Sequence, residues 1–282
     1  MYKYSLDKSS KKFICPSCNK KRYVRYVDII SNNYLDYNFG RCDRESSCGY
    51  HSSPSGNTIV SHTHVVTKEI HPTFMNDDLL GAYGKDYNNN CFIKYLKMHF
   101  TVKEIKSAIR RYFLGTSHHW QGATVFWQID QFMNIRTGKI MLYNKKNGKR
   151  VKEPYSHITW MHSLLKKDNF VLQQCLFGIH NLCDYKTDDL ICIVESEKTA
   201  VIMSMLYPEY LWLATGSKSN LKYELIKPLK NYNIVLLPDK SEFEDWNTKA
   251  MFFGRNGFSV TCNSLLNQLR VSSGSDLADI LI

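Results

Sequence analysis

Two acidic residues stand where alternating strands and helices would bring them together. Glu195 directly follows the apolar run 190–194, and Asp239 follows the run 233–237 after a single proline. In an open parallel sheet, residues just past the carboxyl ends of the strands converge on one edge, where ligands bind. Hard divalent ions prefer carboxylate oxygens, and such ions promote phosphoryl transfer. We therefore expect Glu195 and Asp239 to hold Mg²⁺ or Mn²⁺.

A third acidic position follows the last predicted strand. Asp276 and Asp279 lie three residues apart near the end of the sequence. Either carboxylate could complete the metal site, and the sequence leaves the choice between them open. Glu197 has a more ordinary explanation, since an acidic residue in the first turn of a helix is stabilised by the helix dipole.

Four closely spaced cysteines predict a second metal site of a different kind. Cys15 and Cys18 form one pair and Cys42 and Cys48 another, which is a typical arrangement of thiolates around tetrahedral Zn²⁺. His51 is an alternative ligand, because only two residues separate it from Cys48. So short a segment needs a bound metal ion to stabilise its fold. We therefore expect a structural zinc ion bound by the four cysteines.

Basic residues cluster in two places that could contact nucleic acid. Between the cysteine pairs, cations alternate with aromatic residues, a combination that suits a single strand but is equally typical of an exposed ribbon. Residues 136–152 contain seven cations and no acid. On a hairpin they would form a positive ridge that either binds a strand or only protects a sheet edge. The candidate contacts are Lys20, Lys21, Arg22, Arg25, Arg136, Lys139, Lys145, Lys146, Lys149, Arg150 and Lys152.

The charge is divided unevenly along the 282 residues. Residues 1–167 carry 27 Lys and Arg against 12 Asp and Glu, whereas residues 168–282 carry 10 against 14. A basic first half would attract a polyanion, and an acidic second half suits divalent cations. An apolar fraction of 43% excludes a disordered or fibrous protein. No apolar run is long enough for a membrane span, so we expect a soluble cytoplasmic protein without a membrane partner.

The predicted secondary structure changes three times along the chain. Apolar residues at three- and four-residue spacing predict short helices over 77–113, and Thr101 with Glu104 forms a capping box. Residues 123–160 have strand character, with a hairpin turn at Asn147-Gly148. After residue 186, apolar runs alternate with amphipathic helices, which is typical of a parallel sheet covered on both faces.

These patterns predict an α+β multidomain protein. An N-terminal zinc ribbon would be followed by a linker, then by a subdomain of helices and antiparallel strands with the basic ridge, and finally by an α/β domain around a central parallel sheet. The expected boundaries are 1–52, 53–76, 77–185 and 186–282.

The last of these domains resembles the Toprim domain, which bacterial primases, topoisomerases and phage primase-helicases share. Residues 193–200, Ile-Val-Glu-Ser-Glu-Lys-Thr-Ala, are similar to its first motif, and residues 235–241, Val-Leu-Leu-Pro-Asp-Lys-Ser, to its second. Ser241 stands where the second motif normally has another aspartate. Residues 275–279 are similar to the acidic stretch that closes the domain in primases.

The resemblance implies a function for the whole chain. A zinc ribbon ahead of a Toprim domain is the order found in replicative primases, and the segments 112–116, 125–129 and 175–179 look like parts of the primase core. This implies primer synthesis on a single-stranded DNA template by nucleotidyl transfer, with Glu195, Asp239 and Asp276 as catalytic metal-site residues and Lys198 contacting phosphate. Nucleotides and a separate helicase would be partners. The alternatives are a Toprim nuclease and a non-catalytic DNA-binding protein of replication or of a mobile element.

Overall fold

The computed structural model describes residues 3–9, 11–44, 47–54 and 71–282. The chain divides into two compact units, Met1–Glu69 and Ile70–Ile282. Much of the predicted linker, residues 55–70, lies outside the described residues. At its end, Met75 pairs with Ile135 and therefore belongs to the second unit. No helix among the described residues is long and apolar enough to cross a membrane.

The first unit is a small antiparallel sheet built around its cysteines. Its strands follow the order β1-β2-β3-β4. Cys15, Tyr23 and Cys42 are fully buried and form the centre of its small core. The strands are β1 (Tyr4–Leu6), β2 (Tyr23–Asp28), β3 (Gly40–Cys42) and β4 (His51–Ser52).

Three helices open the second unit, as the sequence predicts. They are α1 (Asp78–Tyr83), α2 (Cys91–Leu96) and α3 (Val102–Tyr112). The side chain of Asn90 caps α2 by accepting hydrogen bonds from two backbone N–H groups of its first turn. The predicted capping box of Thr101 and Glu104 is present at the start of α3.

The predicted antiparallel sheet follows these helices. Its order is β5-β6-β7-β8, and β7 pairs with β8 as the predicted hairpin. Gly148 lies in the connecting loop at a φ of +62°, and a Cβ there would lie 2.4 Å from the ring of Tyr95, so the loop packs closely on α2. The elements are β5 (Gly115–Ser117), β6 (Ala123–Ile129), β7 (Ile135–Met141), β8 (Ile158–Trp160) and the short helix α4 (Met161–Leu164).

A parallel sheet forms the rest of the second unit, which confirms the predicted alternation of strands and helices. Its order is β10-β9-β11-β12, and all three pairings are parallel. The strands are β9 (Leu190–Val194), β10 (Leu211–Ala214), β11 (Asn233–Leu236) and β12 (Ser259–Cys262). The helices are α5 (Glu197–Leu206), α6 (Tyr223–Ile226), α7 (Phe243–Arg255), α8 (Leu265–Gln268) and α9 (Ala278–Leu281).

Helices cover both faces of the parallel sheet. Trp246, Ala250 and Phe253 are buried at i, i+4 and i+7 of α7 and pack on one face. On the other face, α5 is buried through most of its length and shares a core with α2, α3 and β6. Because eight of its ten residues are buried, α5 is an interior helix of the second unit. Its first residue follows the Glu195 loop directly.

Candidate functional site

Glu195 and Asp239 lie at neighbouring strand ends. Strand β9 pairs with β11 so that Ile193 lies opposite Leu236, and the N–H of Leu237 donates to the carbonyl of Ile193 at 2.9 Å. Adjacent strands are about 4.8 Å apart, so the two acidic residues leave the sheet side by side. The structure thus brings together the two carboxylates that the sequence selected.

The charge of these carboxylates is poorly compensated. Burial, together with the negative charges of Glu195, Asp276 and Asp279, raises the pKa of Asp239 to about 8. Burial also raises the pKa of Glu195. Neither residue forms a salt bridge with a described residue. Carboxylate oxygens that no described salt bridge occupies are a donor set that Mg²⁺ or Mn²⁺ fits.

Asp276 reaches the same edge but already has partners. Its carboxylate accepts a hydrogen bond from the hydroxyl of Thr199 at 2.6 Å and one from the N–H of Asp279 at 2.8 Å. The ammonium of Lys198 lies 3.4 Å from Asp276 and 2.8 Å from Asp279. Lys198 is only 8% exposed. The structure therefore places Lys198 at the site, engaged with two carboxylates.

A buried ion pair lies on the floor of the site. The Lys139 ammonium is 3.1 Å and 3.2 Å from the two carboxylate oxygens of Glu197, and it also donates to the carbonyl of Gly216 at 2.6 Å. Lys139 is buried, so it does not belong to the exposed ridge on which the sequence placed it. Glu197 does begin α5, but its carboxylate is buried by this pairing, which explains its position better than the helix dipole does.

A cavity of about 690 Å³ opens above this floor. One wall is the acidic edge with Glu195, Lys198 and Asp276, and the other is the loop 144–152 between β7 and β8, hereafter the basic loop. Three exposed cations of the basic loop line the cavity, namely Lys149, Arg150 and Lys152. Opposite charges therefore face one another across a space large enough for a nucleotide or a strand.

The remaining cations of the predicted ridge lie elsewhere. Lys145 and Lys146 are exposed on the basic loop but do not line the cavity. Arg136 forms a salt bridge of 2.7 Å with the buried Asp130 and lies over the ring of Phe74. Of the seven cations of the predicted ridge, three are exposed and line the cavity, and Lys145 and Lys146 are exposed outside it. The other two, Arg136 and Lys139, form salt bridges with buried carboxylates.

The four predicted zinc ligands form one cluster in the first unit. The sulfur atoms of Cys15, Cys18, Cys42 and Cys48 all lie within 4.8 Å of one another. Cys15 and Cys48 are 3.7 Å apart, and Cys18 and Cys42 are 3.9 Å apart. Tetrahedral ligands with Zn–S bonds of about 2.3 Å would be about 3.8 Å apart. The geometry therefore fits zinc without rearrangement.

The alternative ligand His51 is engaged elsewhere. Its ring stacks on Tyr26, and its Nε2 lies 3.1 Å from the hydroxyl of that tyrosine. Among the nearby cations, Lys20, Lys21 and Arg22 are exposed. Arg25 lies against the rings of Phe13, Tyr34 and Tyr37 and donates to the carbonyl of Leu35. Arg25 therefore stabilises the ribbon from within.

Sequence reasoning missed Thr199 and the pairing of Lys139 with Glu197. One clue was available for the pair: Lys139 is a cation within a strand whose neighbours are apolar, and a buried cation requires a carboxylate. Glu197 could meet this requirement, because it lies two residues after Glu195, just past the end of strand β9 in the parallel sheet. Thr199 offered no such clue, because a threonine near a helix N-terminus has many ordinary roles.

Comparison with protein-family models adds a family to this geometry. Residues 90–240, more than half of the chain, match the family described as "Domain of unknown function (DUF6371)". The chain belongs to the DUF6371 family. The DUF6371 match includes the basic loop, Glu195, Lys198 and Asp239. Residues 2–63 match a zinc beta-ribbon finger family, which confirms the predicted zinc ribbon. No curated protein shows significant sequence similarity to the chain.

Solved structures similar to this DUF6371 protein include primase domains. The primase fragment of the bacteriophage T7 primase-helicase is 13% identical with a TM-score of 0.43, over 95% of this chain and 93% of that one. The RNA polymerase domain of Mycobacterium tuberculosis DnaG is 10% identical with a TM-score of 0.44, over 72% and 76%. The zinc-binding and RNA polymerase domains of Aquifex aeolicus primase are 9% identical with a TM-score of 0.41, over 96% and 75%. Such distant likenesses do not establish an activity.

Proposed function

We propose that this chain is a primase-like enzyme of the Toprim type, which makes primers on single-stranded DNA by metal-dependent nucleotidyl transfer. One observation supports the proposal most directly. Glu195 at the acidic edge and the three cations of the basic loop line the same cavity, although they lie far apart in the sequence. Nucleotidyl transfer needs both walls, because it brings a polyanionic strand to a divalent metal ion.

The acidic wall would hold the metal. Glu195 and Asp239 supply the oxygen ligands, and Asp276 lies beside them at the same sheet edge. A bound divalent ion supplies charge stabilisation for the transferring phosphoryl group and lowers the pKa of an attacking hydroxyl. The protein contributes a rigid frame, because Glu195 leaves a buried strand and is followed at once by the buried helix α5.

The basic wall would guide the template. Lys149, Arg150 and Lys152 are exposed, and none of them forms a salt bridge with a described residue. Cations of this kind neutralise phosphates without reading sequence. In the first unit, Lys20, Lys21 and Arg22 could contact the same kind of strand, since they are exposed beside the zinc cluster.

A primer-synthesis assay tests the proposal. The zinc-loaded protein is incubated with single-stranded DNA, ribonucleotides and Mg²⁺ or Mn²⁺, and labelled products are resolved by length. We expect short oligoribonucleotides from the wild type and none from Glu195→Gln or Asp239→Asn. Asp245→Asn is the matched control, because Asp245 is exposed on α7, where it pairs with Lys249. Product that is unaffected by Asp239→Asn would refute the proposal.

Nuclease activity is a second candidate, favoured by Ser241. Ser241 stands where the second Toprim motif normally has an aspartate, so this position supplies no carboxylate. Its hydroxyl lies 3.1 Å from that of Ser273. A site with fewer carboxylates could suffice for strand cleavage. Labelled DNA in the same reactions distinguishes the two activities: nicking abolished by Glu195→Gln, without any primer, would establish the nuclease. A protein that binds DNA but no divalent ion would be a non-catalytic binding protein.

A further inference from the structure

Lys198 occupies an unusual position for a cation beside a candidate metal site. Its ammonium lies between two carboxylates, 2.8 Å from Asp279 and 3.4 Å from Asp276. The side chain is 10% exposed, and that of Asp276 is 9% exposed. Water therefore screens the pair of Lys198 with Asp276 weakly, whereas the side chain of Asp279 is 37% exposed. Lys198 is a fixed positive charge inside the acidic edge.

Each oxygen of the Asp276 carboxylate also accepts a hydrogen bond from an uncharged donor. Oδ2 accepts from the Thr199 hydroxyl at 2.6 Å, and Oδ1 accepts from the N–H of Asp279 at 2.8 Å. In return, Oδ2 of Asp279 lies 3.4 Å from the N–H of Asp276. These bonds connect the start of α5 with the segment before α9. The four groups Lys198, Thr199, Asp276 and Asp279 thus form a closed network without a metal ion.

Ser241 removes another possible ligand. Its backbone is left-handed at a φ of +80°, its N–H donates to the side chain of Asn267 at 3.2 Å, and its hydroxyl pairs with Ser273. These contacts hold the segment 272–275 against the loop after β11. Ser241 therefore contributes no negative charge to the edge. Within the described part of the chain, Glu195 and Asp239 form no salt bridge.

We propose that the ammonium of Lys198 takes the place of a second divalent ion, so that the acidic edge binds a single ion, at Glu195 and Asp239. This inference rests on the proposed metal-dependent function and specifies its stoichiometry. A second ion near Asp276 and Asp279 would be repelled by Lys198 and would have to displace its hydrogen bonds. The same pairing argues against Lys198 as a contact for substrate phosphate, because its charge is already neutralised.

Counting bound Mn²⁺ tests the inference without relying on activity. Zinc-loaded wild-type protein and Lys198→Met are titrated with Mn²⁺ by calorimetry, and the bound ions are observed by electron paramagnetic resonance. We expect one Mn²⁺ per wild-type chain and two per Lys198→Met chain, because the variant frees Asp276 and Asp279. The spectrum of the variant should broaden as two neighbouring ions couple. Lys249→Met, which loses a partly buried cation on α7, is the matched control and should bind one.

The outcomes separate the inference from the proposed function. Two ions on the wild type, or one on a folded Lys198→Met, would overturn the inference and leave the metal-dependent function standing. No ion on the wild type would overturn both.

A second pair of variants keeps the test decisive if Lys198→Met does not fold. Asp239→Asn should lose the Mn²⁺, whereas Asp279→Asn should keep one ion, because the carboxylate of Asp279 pairs with Lys198 rather than with the metal. Loss of the ion in folded Asp279→Asn would overturn the inference, since Asp279 would then be a ligand. Circular dichroism establishes that each variant is folded.

Discussion

Lys139 and Glu197 join the antiparallel sheet to the helix that follows the candidate catalytic loop, with the Lys139 ammonium 3.1 Å and 3.2 Å from the carboxylate oxygens. The same ammonium donates to the carbonyl of Gly216, whose N–H donates in turn to the carbonyl of Glu195 at 2.9 Å. Lys139 is therefore connected to the backbone of Glu195 through one residue. The pair fixes the floor of the cavity.

Breaking this pair should be costly. Lys139→Met leaves the carboxylate of Glu197 buried without a partner, and removal of one member of a buried pair typically costs about 3–5 kcal/mol. Urea unfolding followed by tryptophan fluorescence measures the loss, because all five tryptophans lie in the second unit. Lys249→Met breaks a surface pair of the i, i+4 type, in which Lys249 is partly buried and Asp245 exposed, and should cost less than about 1 kcal/mol.

The double variant Lys139→Met with Glu197→Met distinguishes pairing from packing. If the loss comes from an uncompensated charge, the double variant should be more stable than Lys139→Met alone. Losses that simply add would contradict the view that the two residues act as a pair.

The zinc cluster makes a separate prediction for the first unit. Cys42 is fully buried among the four sulfur atoms, so Cys42→Ser should lose the single zinc ion during dialysis against a chelator. Elemental analysis before and after dialysis measures the metal. Cys183→Ser, at an exposed cysteine outside the cluster, should retain one zinc per chain. Equal zinc in both variants would show that Cys42 is not a ligand.

The sequence predicted the elements well because their signals are local. The capping box at Thr101, the apolar runs of β9 and β11 and the Asn147-Gly148 turn each depend on residues a few positions apart. The convergence of Glu195 and Asp239 followed from the general geometry of parallel sheets. Such patterns can be read in a single chain.

The contacts within the site could not be predicted in this way. The partner of Lys139 lies 58 residues away at the start of α5, and Lys198 meets Asp279 across 81 residues. The sequence grouped Lys139 with the exposed cations of its segment. It could not show that Lys139 is buried, because burial depends on how the two sheets pack. Arg25 was misplaced for the same reason, since its aromatic partners come from other parts of the ribbon.

The basic loop should carry much of the salt dependence of DNA binding. Changing Lys149, Arg150 and Lys152 together to Ala removes three cations that line the cavity. For single strands, the slope of log K against log salt changes by about 0.7 per phosphate contact, so the triple variant should lose about 2 from the slope. Fluorescence anisotropy with a labelled single strand at several salt concentrations measures it.

A matched triple variant controls for net charge. Lys103, Lys106 and Arg110 are exposed on α3, away from this cavity, and their replacement by Ala removes the same charge. We expect the α3 variant to change the slope much less. Equal effects of the two triple variants would show that binding depends on overall charge rather than on the basic loop.

Asp239 should make the stability of the second unit depend on pH when no divalent ion is added. Its pKa is about 8 in the folded protein, against an ordinary value of 3.8. Between these values the folded state binds a proton that the unfolded state has released, so the free energy of unfolding falls as the pH rises. The stability is fully present below about pH 4 and is lost as the pH passes through about 8, by at most about 1.4 kcal/mol per pH unit.

Asp239→Asn cannot ionise and should therefore become progressively more stable than the wild type as the pH is raised from 5 to 8 in urea unfolding. Asp245→Asn, which removes an exposed carboxylate from α7, is the matched control. Saturating Mn²⁺ at pH 8 should stabilise the wild type, because an ion that binds only the folded state shifts the equilibrium toward it. It should not stabilise Asp239→Asn. A difference between Asp239→Asn and the wild type that stays constant with pH would mean that Asp239 ionises normally, and its neighbouring carboxylates would then not crowd it.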